Sequence, residues 1–126
     1  MKLLESGEMY LESIYVLSRT NSAVRSIDVC EYMKFSKPSV SRAMGILREG
    51  GFINVDADGY ITLTSAGKEV AESIYERHRV LTDWLIDIGV DPEIAAEDAC
   101  KLEHDISSES FEKLKEHLRK KHNKNI

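Results

Sequence analysis

Apolar residues recur at helical spacing along most of this chain, and the pattern changes character only between residues 52 and 63. From Glu8 to Ser18, Met9, Tyr10, Ile14, Val16 and Leu17 follow a helical rather than an alternating rhythm, which predicts a first helix. Asn21-Ser22 interrupts it, and Ser26–Met33 reads as a short second helix with Ser26 as its cap and Cys30 turned inward. The next segment, Phe35–Leu47, opens with Ser36 or Lys37 at the capping position and Pro38 in the first turn. Its Val40, Ala43, Met44 and Leu47 form one apolar stripe, while Ser39, Ser41 and Arg42 face the other way. After Gly50-Gly51, a cap and turn, Phe52–Val55 and Tyr60–Leu63 are two β-prone runs joined by the hairpin signature Asp56-Ala57-Asp58-Gly59.

A short helix, a tight turn, a second helix and then a hairpin make a winged helix-turn-helix. The polar face of the second helix, with Ser36, Lys37, Pro38, Ser39, Ser41 and Arg42, suits phosphates and base edges, so double-stranded DNA is the expected partner. A plain amphipathic helix pair would show the same stripe without the hairpin behind it.

From Thr64-Ser65-Ala66-Gly67 a long helix is predicted to about Ile88, with Val70, Ile74, Leu81, Leu85 and Ile88 at helical spacing and Gly89 ending it. Asp91-Pro92 opens the next helix, which reaches Asp105. Ser107-Ser108-Glu109 caps a last one through about Leu118, with Phe111, Leu114 and Leu118 on its apolar side. The basic stretch Arg119–Asn125 reads as a frayed end.

Length and charge narrow the picture. At 126 residues the chain holds one ordinary domain, or a small recognition domain with a helical piece appended. Its net charge of −5 argues against nucleic acid as a partner. Residues 1–64, however, balance to −1, and the remaining −4 falls in residues 65–126. No run is long and apolar enough for a bilayer, and acidic residues stand near the N-terminus where a secretory segment would be apolar, so a cytoplasmic protein without membrane contact is expected. The two cysteines, Cys30 and Cys100, are expected as reduced thiols.

Candidate chemistry gathers in Ala99-Cys100-Lys101-Leu102-Glu103-His104. On a helix, Cys100, Glu103 and His104 share a face, and thiol, carboxylate and imidazole together are a metal-ligand set. Taken alone, the triplet reads rather as a small buried thiol beside two solvated neighbours, and partners elsewhere must decide it. Met9 and Glu12 share a face of the first helix, and His78 sits halfway along the long helix; alone, each of these is a core or solvated residue.

Several motifs in order carry a resemblance: Glu8-Met9-Tyr10-Leu11-Glu12 with Ile14-Tyr15, Ser36-Lys37-Pro38-Ser39-Val40-Ser41, Leu63-Thr64-Ser65-Ala66-Gly67, Glu76-Arg77-His78-Arg79, and Asp98-Ala99-Cys100-Lys101-Leu102-Glu103-His104. Over nearly its full length the chain resembles the diphtheria-toxin-repressor family of metal-activated transcription regulators. The resemblance implies a mainly α fold, with a winged helix-turn-helix over residues 1–64 and a helical metal-binding and dimerisation domain over 65–126, joined by the continuous long helix. It implies the short form, without an SH3-like third domain.

Carried over by position, Met9, Cys100, Glu103 and His104 look like the metal site of the iron-responsive branch. Glu12 and His78, with Glu103 and His104, look like ligands of the manganese-responsive branch, in which Met9 would be Asp and Cys100 would be Glu. Thr82 and Ala96 stand where the iron branch keeps a carboxylate and a His for a second, ancillary site, so that site is not expected. The implied function is metal-activated repression, as a homodimer on a pseudo-palindromic operator, in iron or manganese homeostasis. The dimer interface is expected around Trp84, Leu85, Ile88 and Ile94. Sulfur from Met9 and Cys100 favours Fe²⁺, with Mn²⁺ next and Co²⁺, Ni²⁺ or Zn²⁺ as strong binders in vitro. Two other readings stand beside this one: a metal-independent winged-helix regulator answering to an organic ligand, and a small metalloenzyme with Glu103 as base. The second needs an open coordination position and a substrate cleft, so an enzyme is not expected.

Overall fold

The computed structural model describes residues 5–124. Their elements run α1 (Glu5–Thr20), α2 (Ser26–Met33), α3 (Lys37–Glu49), β1 (Ile53–Val55), β2 (Ile61–Leu63), α4 (Ser65–Asp87), α5 (Pro92–Asp105) and α6 (Ser108–Lys124). The chain divides into two compact units between Ser73 and Ile74, within α4. No helix among the described residues is long and apolar enough to cross a membrane.

In the first unit, α1 to α3 and the hairpin close over one core. Leu11, Ile14, Val29 and Val40 are completely buried, and Met44, Leu47, Ile53, Ile61 and Ala71 join them. On α3 the burial of Val40, Met44 and Leu47, spaced four and three apart, turns Ser39, Ser41 and Arg42 outward. Ser36 is the N-cap of α3: its hydroxyl accepts from the Ser39 amide at 3.4 Å and donates to the Ser39 hydroxyl at 2.9 Å. Between α2 and α3, Lys34 adopts a left-handed conformation (φ 59°) and thereby keeps the turn short.

The hairpin pairs antiparallel, with Ile53 opposite Leu63 and Val55 opposite Ile61. It gains a third partner from outside the hairpin, because the Ile61 amide donates to the Val24 carbonyl at 2.7 Å. Beside Val24, the Arg25 guanidinium donates to the Asp58 carbonyl at 2.6 Å and lies 4.6 Å above the Tyr60 ring, fastening the turn to the start of α2. The same residue corrects the expected cap of α2. Ser26 is the first helical residue and Arg25 is the N-cap; the free amide of Arg25 is taken by the Asp28 carboxylate at 2.8 Å. An acid three residues into a helix does there what a capping hydroxyl would have done from the other side.

The second unit contains the rest of α4 with α5 and α6, around buried Ile74, Leu81, Ala95, Ala99 and Phe111. Asp91 caps α5 with Pro92 behind it, and the Ser107 hydroxyl caps α6 by accepting from the Ser110 amide at 3.0 Å. The last helix continues past Leu118 to Lys124 instead of fraying; Asn125 lies outside the described residues. Pairing of Lys120 with Glu116 at 3.1 Å, one turn apart, and basic residues at a C-terminal helix end both favour the longer helix.

Gly67 shows how tightly α4 begins. Thr64 caps it, accepting from the Gly67 amide at 3.1 Å, and this brings the first turn onto the wing. A Cβ on Gly67 would stand 2.0 Å from the Phe52 carbonyl oxygen, so the backbone of one element would have to move. Gly67→Ala is expected to destabilise the first unit by about 1–3 kcal/mol. The measurement is a urea unfolding midpoint, which should fall while the slope stays constant.

Candidate metal centre and DNA-reading helix

Within the second unit, α4 supplies His78, and α5 supplies Cys100 and Glu103 from positions three apart. Packing of these helices brings the Glu103 Oε2 to 2.9 Å from His78 Nδ1 and the Cys100 Sγ to 3.7 Å from the same nitrogen. One ligand atom from each of the three lies within 4.8 Å of the others, close enough for one cation. The donor set is one sulfur, one nitrogen and one oxygen, which fits a borderline transition metal better than a hard one. His104 points to the other side of the same carboxylate, with Nε2 at 3.3 Å from Oε1. Glu103 is therefore the hub: it is 1% exposed and stands between two imidazoles.

A carboxylate this buried needs a positive partner. His78 meets that need: the neighbouring Cys100 sulfur first, and the Glu103 carboxylate second, raise its pKa from 6.5 to about 10, outweighing its own partial burial. At neutral pH the His78 imidazole thus keeps its proton beside the Glu103 carboxylate. Thr82 belongs to the same stretch, its hydroxyl donating back to the His78 carbonyl at 2.6 Å.

Arg77, one residue before His78, fixes the far end of α5. Its Nη1 donates to the carbonyls of Glu103 at 3.1 Å and Ile106 at 2.7 Å, and its Nη2 lies 3.2 Å from the Ser108 hydroxyl. The guanidinium also covers the Phe111 ring at 5.5 Å. The backbone of Glu103 is thereby tied to the helix that carries His78. The sequence placed Arg77 in a motif but gave no sign of this role, because its partners are 26 to 31 positions away.

In the first unit, Met9 and Glu12 lie on α1, both half-buried, and the Met9 carbonyl accepts from the Ser13 hydroxyl at 2.8 Å. On α3, Ser36, Lys37, Pro38, Ser39, Ser41 and Arg42 are all exposed. Pro38, Ser39 and Arg42 line a cleft of about 370 Å³ together with Ser6, Tyr10, Ala43 and Ile46. The wing is acidic at its tip: the Asp56 carboxylate is occupied by the amides of Asp58 and Tyr60, each at 2.9 Å, and Arg25 is engaged as described. On α3, Lys37, Ser39, Ser41 and Arg42 remain exposed to the outside.

These two sites coincide with two known domains. Residues 2–60 match the N-terminal DNA-binding domain of iron-dependent repressors, and residues 64–124 match their metal-binding and dimerisation domain. The chain belongs to the iron-dependent repressor family. It is 33% identical, over 113 residues, to an uncharacterised HTH-type transcriptional regulator of Methanocaldococcus jannaschii, covering 88% of this chain and 90% of that protein. It is 32% identical over 103 residues to the transcriptional regulator MntR of Escherichia coli, covering 82% of this chain and 66% of MntR. The solved structure of the manganese regulator SloR superposes with a TM-score of 0.80 at 29% identity, covering 90% of this chain and 53% of SloR.

In the family's terms, α3 belongs to the DNA-binding domain, and His78, Cys100, Glu103 and His104 all fall in the metal-binding and dimerisation domain. The predicted mainly helical architecture, a winged helix-turn-helix followed by a helical domain, is the one observed. Of the dimer positions expected from the sequence, Ile88 and Ile94 are exposed and Trp84 and Leu85 are half-buried.

The His78–Cys100–Glu103 arrangement gives the metal-free chain a definite pH dependence. Because the folded-state pKa of His78 lies above its ordinary 6.5, the pairing contributes stability that is fully present below pH 6.5 and is lost as pH rises through about 10. In urea unfolding with chelator and reductant present, the midpoint should therefore decline across that window. His78→Gln should flatten the decline, and an unchanged slope in that variant would refute the assignment.

Proposed function

We propose that this regulator is a metal-activated repressor of transcription that binds duplex DNA as a two-fold dimer in the cytoplasm. The observation that carries the proposal is the buried Glu103 carboxylate, held between His78 and His104 with the Cys100 thiol beside it. Family membership makes a transcription regulator the coherent reading of such a cluster in a chain that also has an exposed, polar recognition helix.

The proposed ligands are His78, Cys100, Glu103 and His104, together with Met9 and Glu12, which are added on the sequence pattern alone. When bound, a divalent cation supplies one positive centre in place of the His78 proton. His78 would have to release its proton to solvent before its ring nitrogen could serve as a ligand, and Glu103 would stay ionised beside it, so metal uptake would strengthen as pH rises. Met9 and Glu12 belong to the unit that carries α3. Ligands drawn from both units would couple metal occupancy to the placement of α3, and a coupling of about 1–3 kcal/mol is enough to switch operator affinity. Two copies joined through exposed Ile88 and Ile94, with Trp84 and Leu85 behind them, would present two recognition helices to half-sites about one DNA turn apart, roughly 34–36 Å. Ser36, Lys37, Pro38, Ser39, Ser41 and Arg42 make the DNA contacts.

The direct test strips the protein with chelator, reloads it with one ion at a time, and measures anisotropy on a duplex enriched from a random-sequence library. Binding should appear only with metal. Glu103→Gln should weaken that activation at least ~10-fold, since it removes the central charged ligand. Equal affinity with chelator and with every ion would sink the proposal and favour a regulator answering to an organic ligand.

For the choice of metal, we propose Fe²⁺ ahead of Mn²⁺. The sulfurs of Cys100 and Met9 are softer than the oxygen ligands Mn²⁺ prefers, whereas Glu12 and His78 keep Mn²⁺ within reach. The double substitution Met9→Asp with Cys100→Glu should move activation from Fe²⁺ toward Mn²⁺. The comparison is made anaerobically at equal free metal, and stronger activation of the unmodified chain by Mn²⁺ would reverse the assignment.

A further inference from the structure

Near the middle of α3 stands a residue for which the folded chain has no use. Gly45 follows Ser41 by four positions, Arg42 by three and Pro38 by seven, so it lies on the same outward face, opposite buried Val40, Met44 and Leu47. Its backbone does not require glycine, since the positive-φ glycines are Gly51, Gly59 and Gly89. Its neighbours do not require it either, because a Cβ added there would meet nothing within 4 Å. Alanine would fit and would make a better helix. One position on, Ile46 is 50% exposed, an apolar side chain left in water on a helix whose other apolar residues are buried or partly so.

We propose that Gly45 is where α3 approaches DNA most closely, and that Ile46 packs against a thymine methyl in the major groove. The proposal rests on the reading of α3 as the recognition helix. A helix with its side chains is about 10–12 Å across, and the groove that admits it is about 12 Å wide. In so close a fit, a side chain at the innermost point holds the helix away from the base edges, and a missing one lets the backbone descend. The C5-methyl of thymine is the one apolar group that a base pair offers on the major-groove side. Descent at Gly45 brings Ile46 within reach of it, and Arg42, one turn earlier, within reach of the neighbouring base edge.

The probe is the duplex enriched from a random-sequence library by the wild-type chain, loaded with whichever of Fe²⁺ and Mn²⁺ activates it. Gly45→Ala is expected to raise the thermal unfolding midpoint by a few degrees and to weaken binding to that duplex at least tenfold. Opposite signs are the signature, since a residue serving only the fold would lose both together. Replacing the enriched thymines one at a time by uracil, which removes the methyl alone, should weaken the wild type severalfold at one position and leave Ile46→Ala unaffected there. Gly45→Ala that binds as tightly as wild type, or unfolds at a lower temperature, overturns the close approach; uracil without effect at every position overturns the methyl contact. Arg42→Ala separates the two levels. If it too leaves binding unchanged, the recognition-helix reading has failed with the inference; if it weakens binding while Gly45→Ala does not, only the close approach is lost.

Discussion

A carboxylate buried to 1% exposure is the constraint on which the second unit depends. Left alone in that place Glu103 would lose its hydration and gain nothing. The chain surrounds it with two imidazoles and a thiol, and the His78 side chain answers by holding a proton far more firmly than an ordinary histidine does. The carboxylate, the sulfur and the imidazole thus lie within one ligand-atom spacing of one another, with the His78 proton as the shared positive charge.

The scaffold around Glu103 is made rigid by means other than hydrophobic contact. Arg77 spans from α4 to the carbonyls at the end of α5 and to Ser108 at the start of α6, so three helices meet on one guanidinium. The fixed fork of arginine suits this, since it satisfies two carbonyls that the end of a helix leaves open while its plane covers Phe111. Ala95 and Ala99, both fully buried, provide small surfaces on α5. Glu103 follows Ala99 by four positions on α5, so the buried ligand lies on the same face as the packed alanine.

Different forces set the first unit. Its hairpin is short, with three residues in each strand, and would be marginal alone. Pairing of Ile61 with Val24 and the Arg25 contacts to Asp58 and Tyr60 join it to the helix-turn-helix. The cationic side chain of Arg25 is spent on this bracing, and α3 presents Ser39, Ser41 and Arg42 to the outside.

What the sequence determined was what is local. Apolar spacing, caps and turn residues are properties of neighbouring positions, and they located α1 to α5 and both strands to within a few residues and the start of α6; the motifs together pointed to the family. Even locally the reading slipped where a distant or reciprocal partner mattered: Asp28 made Arg25 the cap of α2 in place of Ser26, and one-turn ion pairing carried α6 beyond Leu118. The tertiary structure alone decided which candidate groups meet. Spacing put Cys100, Glu103 and His104 on one face of α5, but His78 comes to Glu103 and Cys100 across 25 and 22 positions by the packing of α4 on α5, and no periodicity encodes that. The same holds for Leu11, absent from the stripe expected for α1 yet fully buried, and for Val24 and Arg25 at the wing. Burial and pairing between distant segments are settled by how whole faces fit, and a linear pattern records only that such faces exist.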